Sequence, residues 1–197
     1  STSAGAVLAA LLVAFGYRDG PLPFPRLPFS LGLVGSIVRH RETRLAIAGY
    51  LGHMWELYAM WALISLFFMD HRLALGDDVA AAATFAGLAA FAVIAAGGAG
   101  SVAAGRWADR LGRENVTIAA MTASGACALL VGHLTALSPW LVLAVAMVWG
   151  FTIQEDWAQF SALVTEVAPP HAVGTALTLQ TSLGFLLTAF TIWAAAA

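Results

Sequence analysis

Lysine is missing from the 197 residues, cysteine occurs once, and charged side chains make up only 10% of the chain, against about 25% in ordinary soluble domains. Each shortage excludes something. Without lysine there is no G-x-x-x-x-G-K-[ST] loop to cradle a nucleoside triphosphate, which removes an ATP-driven mechanism from this chain. The lone Cys127 forms no internal disulfide and has no CxxC partner, so a disulfide scaffold and a zinc site are both out. H-E-x-x-H and G-x-S-x-G are absent as well, leaving no nucleophile and base for an intramembrane enzyme; no enzymatic activity, cofactor or metal is expected. Nine Arg against eleven acidic groups give a formal net charge of −2, with no basic excess to grip nucleic acid.

What the chain has instead is hydrocarbon: 60% apolar residues and a mean hydropathy of +0.83, the balance of a protein dissolved in lipid. The expected fold is all-α, a polytopic transmembrane helix bundle. Residues 1–17 read as the end of a transmembrane helix, since the apolar run there is too short to cross a core of about 30 Å and shows neither an initiator Met nor a signal-peptide pattern. Residues 18–44 carry four Pro between Pro21 and Pro28, then Arg39, Arg41, Glu42 and Arg44: a linker with a short amphipathic helix at its end. Residues 45–197 supply five spans: 45–69, 79–104, 116–137, 140–168 and one from 175 onward. Polar loops are expected at 70–78 and 105–115. Gly97, Ser101 and Gly105 repeat a small residue every four positions, a pattern that lets helix backbones approach in lipid. The chain stops in Trp193 and four Ala with no charged residue to mark a membrane exit, so a piece of a larger protein is expected.

Orientation follows from arginine alone. Arg18, Arg26, Arg39, Arg41, Arg44, Arg106, Arg110 and Arg113 fall on one side and only Arg72 on the other, so the linker and the 105–115 turn are expected to be cytoplasmic.

That turn reads Gly105-Arg106-Trp107-Ala108-Asp109-Arg110-Leu111-Gly112-Arg113-Glu114. It resembles the G-x-x-x-D-R-x-G-R-[RK] signature that joins the second and third helices of each six-helix half in the major facilitator superfamily, with Glu114 departing from the last basic position. Weakened copies of this kind are found in the second half of such transporters. The basic linker is similar to the family's central loop, and Pro169-Pro170-His171-Ala172-Val173-Gly174-Thr175-Ala176 is similar to the stretch between its tenth and eleventh helices. The resemblance implies the C-terminal half, from the end of helix six to helix eleven, with an N-terminal half as its partner. It also implies that Gly105, Asp109, Arg110, Gly112 and Arg113 form a cytoplasmic gate motif, with Gly105 letting two helices close, Gly112 permitting the turn and Asp109 accepting hydrogen bonds.

A few acids stand where nearly everything else is apolar. Glu56 sits near the middle of the first full span, where an ionised carboxylate costs about 2.5–3.5 kcal/mol on insertion scales. His53 and Glu56, at i and i+3, share a face, with Tyr58 beside them. Two readings remain open: a proton-coupling or substrate-binding pair facing a cavity, or a structural hydrogen bond from Glu56 to a neighbouring helix. Glu155, Asp156 and Gln159 form a second polar cluster in the fourth span, for which two readings are again open: functional use of one member, paired with Glu56 across a pore, or structural polar packing against a neighbouring helix. The expected function is secondary active transport of a small solute, coupled to protons and working by alternating access, in a bacterial inner (plasma) membrane. The rival is a non-transporting membrane subunit or assembly factor that keeps the fold, docked in a larger complex.

Overall fold

The computed structural model describes residues 2–17, 31–134, 138–154 and 156–196, and among them every regular element is helical. The helices are α1 (Thr2–Gly16), α2 (Leu31–Arg39), α3 (Arg41–Ala74), α4 (Val79–Leu111), α5 (Arg113–Val131), α6 (Pro139–Ile153), α7 (Asp156–Val167) and α8 (Val173–Ala196), with a short 3-10 turn at Gly132–Leu134 after α5. Four of these helices (α3, α4, α5 with its 3-10 extension, and α8) are long and apolar enough to cross a membrane, and α1 and α6 are shorter apolar helices. The all-α polytopic bundle is therefore what the chain forms.

The ends of the helices differ from the expected spans. At 1.5 Å per residue the 34 residues of α3 run about 50 Å, well beyond a hydrocarbon core of about 30 Å. Arg41, Glu42 and Arg44 are thus in the first turn of α3, not in a linker, and Asp70, His71 and Arg72 are in its last turn, not in a loop. Backbone hydrogen bonding does not stop where lipid stops; it stops where a cap is supplied. His40 caps the start, accepting from Thr43 N, and Arg72 closes the end through its ion pair with Asp77, at 2.6 Å from Nε. Asp78 then caps α4, accepting from Ala80 N and Ala81 N at 2.9 Å each.

The expected 105–115 loop shrinks to one residue. Helix α4 continues through Arg106, Asp109 and Arg110 to Leu111, and α5 begins at Arg113, so Gly112 is the whole junction. Its φ of 85° and ψ of 143° lie in territory that a side chain makes costly. Asn115 Nδ2 donates back to Leu111 O at 2.9 Å and ties the two helix ends across it. Gly105 differs: a Cβ there would meet nothing within 4 Å, so no described helix of this chain closes on it. Gly112→Ala is expected to cost about 1–3 kcal/mol and lower the melting temperature in detergent, whereas Gly105→Ala, inside a helix with space around it, should hold or raise it.

Close approach occurs instead between α4 and α6. The buried face of α4 is built from Ala82, Ala86, Ala89, Val93, Gly97, Gly100 and Ala104. A Cβ at Gly100 would run into the Phe151 carbonyl, one at Gly150 into the Val93 carbonyl, and one at Gly97 would stand 2.5 Å from Gln154 Cβ. Of the expected stripe, Gly97 and Ser101 therefore take part; Gly100 and Gly150 complete it.

The fourth span is not one helix. It runs as α6 to Ile153 and resumes as α7 at Asp156, with Gln154 in a turn. Ser101 Oγ lies 3.2 Å from the Gln154 carbonyl and 3.1 Å from the Gly97 carbonyl of its own helix, so its one hydrogen can be given to either. Helix α3 lies at the centre of the bundle, packed against α4, α7 and α8, and its buried stripe of Ile47, Tyr50, Met54, Leu57, Ile64 and Phe68 follows the helical period. At the other extreme, the described side chains of α1 are exposed throughout.

Candidate functional site

Two polar arrangements occur inside this apolar bundle. The first is built on Glu56, in the middle of α3. Its two oxygens have different partners from different helices: Trp149 Nε1 of α6 donates to Oε1 at 2.8 Å, and Ser124 Oγ of α5 donates to Oε2 at 3.2 Å. The Ser124 hydroxyl also lies 3.3 Å from the Met121 carbonyl one turn back on α5.

The chemistry of these partners is unequal. An indole N–H can only donate, so Trp149 pins Oε1 in either charge state of the acid, while a hydroxyl donates or accepts as it rotates. With Glu56 ionised, Ser124 donates to Oε2. With Oε2 protonated, Ser124 turns its hydrogen to Met121 O and accepts from the acid. Every group stays bonded both ways, which is what a carboxyl that loads and unloads a proton in a low-dielectric interior needs.

His53 is buried, 1% exposed, with its ring centroid 6.0 Å from that of Phe160 on α7, so it turns toward α7 while Glu56 turns toward α5 and α6. Phe160 itself fills the notch at Gly49, where a Cβ would stand 2.6 Å from its ring. Tyr58 is half-buried with its ring on Trp61, centroids 5.4 Å apart. Glu155 lies outside the described residues, as does the side chain of Asp156.

The second arrangement sits at the arginine-rich end. Arg113, the first residue of α5, donates from Nε to Glu166 Oε1 at 2.7 Å and from an Nη to Gln159 Oε1 at 3.1 Å, joining α5 to α7. Gln159, which its spacing grouped with Glu155 and Asp156, belongs to the arginine clasp. Asp109 and Arg110 are exposed and make no hydrogen bond to a described residue.

Sequence spacing missed the partners of Glu56. Ser124 and Trp149 come from helices other than the one that needs them, and the only signal in the sequence was a polar residue or a tryptophan inside an apolar run. Two further polar groups were missed for the same reason. Thr117 on α5 and Gln180 on α8 are 5% and 1% exposed, and their side-chain oxygens have no hydrogen-bond partner among the described residues.

The family model described as Major Facilitator Superfamily matches residues 2–192. No curated protein matches the chain.

Proposed function

Because the chain belongs to the major facilitator superfamily of membrane transporters, we propose that it is the C-terminal half of a secondary transporter that moves a small solute by alternating access, coupled to protons through Glu56. The observation that carries this reading is the divided bonding of that carboxyl, Oε1 to Trp149 and Oε2 to Ser124, which accommodates both protonation states without an unpaired group. An acid held only for structure has no need of a partner that reverses its role. Arg113, Glu166 and Gln159 serve as the inside gate, with Gly112 as the elbow between α4 and α5, and the eight-to-one arginine count puts that end in the cytoplasm. His53, Tyr58 and Asp156 are assigned to substrate binding or proton coupling, in a site completed by an N-terminal half, in an inner membrane. Intramembrane acids without an intramembrane Arg in this half favour a neutral or cationic solute.

The test is uptake of a compound panel into proteoliposomes holding the full-length protein under an imposed pH gradient. Glu56→Gln keeps the shape and the Trp149 bond but cannot cycle a proton. It is expected to lose concentrative uptake by about tenfold or more while downhill exchange stays within about twofold, and Asp156→Asn is measured beside it. Concentrative uptake by Glu56→Gln at the wild-type level would sink the proton-coupling role; no movement of any solute by the wild type would favour the non-transporting subunit.

A further inference from the structure

A cleft of about 620 Å³ opens at the arginine-rich end between α3, α5 and α7. Arg41, Glu42 and Glu114 stand at its mouth, all exposed, and neither carboxylate is paired with a described residue. Its wall is apolar at Leu45 and Ile118, both more than half exposed, and at Leu163, and Met121 and Phe160 also line it. Thr117 lines it between mouth and end; the residue is 5% exposed and its hydroxyl has no hydrogen-bond partner among the described residues. At about 30 Å³ of liquid volume per molecule the cleft of about 620 Å³ has room for roughly twenty waters.

The position of the cleft relative to Glu56 gives it a use. Along α5, Glu114, Thr117, Met121 and Ser124 follow at i, i+3, i+7 and i+10, one face of one helix. Its first two polar groups are in the cleft and the third, Ser124, is bonded to Glu56 Oε2 on one side and reaches Met121 O on the other. Oε2 is the oxygen of Glu56 bonded to that face of α5. At the inner end of the cleft stand Phe160, wedged into the Gly49 notch, and Met121, an unbranched and flexible side chain, with Tyr50 and Met54 packed against them.

We infer that this cleft is a water-filled vestibule through which protons pass between the cytoplasm and Glu56 along the α5 face that carries Glu114, Thr117 and Ser124, with Met121 as its movable inner stop. The inference rests on the proton-coupling reading above and adds the route. In each loading step a hydronium ion gives a proton to Ser124 Oγ as the Ser124 hydrogen passes to Oε2; one water is left and the carboxylate has become the acid. The groups facing that carboxyl are Ser124 and Cys127 from α5 and Trp149 from α6, with His53 a turn away on α3 itself, while α7 presents Phe160 at the inner end of the cleft. At the mouth the charges are Arg41, Glu42 and Glu114, since Glu166 of α7 is held by Arg113.

The experiment needs no identified solute. In the full-length protein, carried in lipid, the carboxylic C=O infrared band that disappears in Glu56→Gln reports protonation of Glu56, and its rise after photolysis of a caged proton gives the arrival rate. Thr117→Val, which removes the hydroxyl and keeps the volume, is expected to slow that rise about tenfold, and Thr117→Ser to restore it. In a Cys127→Ala background, Thr117→Cys should react with a membrane-impermeant cationic methanethiosulfonate from the cytoplasmic face at least tenfold faster than Ser124→Cys, and the attached group should slow protonation further. An unreactive Thr117→Cys, or a wild-type rise in Thr117→Val, overturns the vestibule while leaving Glu56 in its coupling role. If Glu56→Gln removes no band, the coupling reading fails, and the route fails with it for want of a destination.

Discussion

Gly150→Val is expected to yield no folded, monodisperse protein. A side chain at Gly150 meets not another side chain that can rotate away but the backbone carbonyl of Val93, with Val93 Cγ1 at 2.7 Å and Val93 C at 2.8 Å. Relief requires α4 and α6 to separate. Helices in lipid gain little from burying apolar surface against one another, because the tails are as apolar as leucine; contact at short range is what holds them. Separation would strip the packing of Val93, Ala90, Ala146 and Ile153, all 8% exposed or less in one cluster, and would pull Gly100 off the Phe151 carbonyl. Overpacking a well-filled interior costs about 1–3 kcal/mol when side chains can adjust, and a backbone collision exceeds that range. Gly98→Ala is the control, one residue from Gly97 with nothing within 4 Å of an added Cβ. Size-exclusion profiles and detergent melts of the two variants decide the matter: equal, wild-type-like behaviour would mean that the glycine seam is not what joins these helices.

The second large effect is functional. Arg113→Glu removes both bonds of the clasp and sets a like charge against Glu166. The partners' side chains are 35% and 55% exposed, so their pairing adds little to global stability, and the melting temperature should stay within about 2 °C of the wild type. On the proposed reading, what changes is the balance between states with the inside gate closed and open. A bias of the size that couples sites in proteins, about 1–3 kcal/mol, corresponds to a fall in transport of roughly 5- to 150-fold. Arg113→Glu combined with Glu166→Arg restores opposite charges across the same gap and is expected to recover much of the loss. Recovery absent from the double variant, with its melt intact, would mean that Arg113 acts through Gln159 or outside the clasp.

How much of this was legible in the sequence depends on the range of the interaction involved. Composition and apolar runs sufficed for the all-α membrane bundle, and the spacing of Asp109, Gly112 and Arg113 sufficed for the family resemblance. Helix ends were misread because hydropathy reports where lipid ends, whereas the termini of α3 are decided by the His40 cap and the Arg72–Asp77 pair. The break between α6 and α7 was invisible for a similar reason: the span is apolar enough on either side, and it is Ser101 of another helix that meets the freed carbonyl. Glu56 was found from the sequence, as an acid in hydrocarbon must be. Its partners were not, because 68 residues separate it from Ser124 and 93 from Trp149, and nothing local to either marks the contact.

The one-residue elbow at Gly112 has a mechanical meaning. A linker of several residues would absorb movement; a single glycine between two helices transmits it, so a tug on Arg113 is felt along α4. Helix α4 is in turn riveted to α6 at Gly97, Gly100 and Gly150, and the residue before Gly150 is Trp149, whose indole holds Glu56. On the proposed reading, clasp and carboxyl are two ends of one lever that runs along α4 from Gly112 to Val93 and crosses to α6 at Gly150, and thermodynamic reciprocity then requires that whatever factor the clasp exerts on proton affinity at Glu56, loading that proton exerts on the clasp.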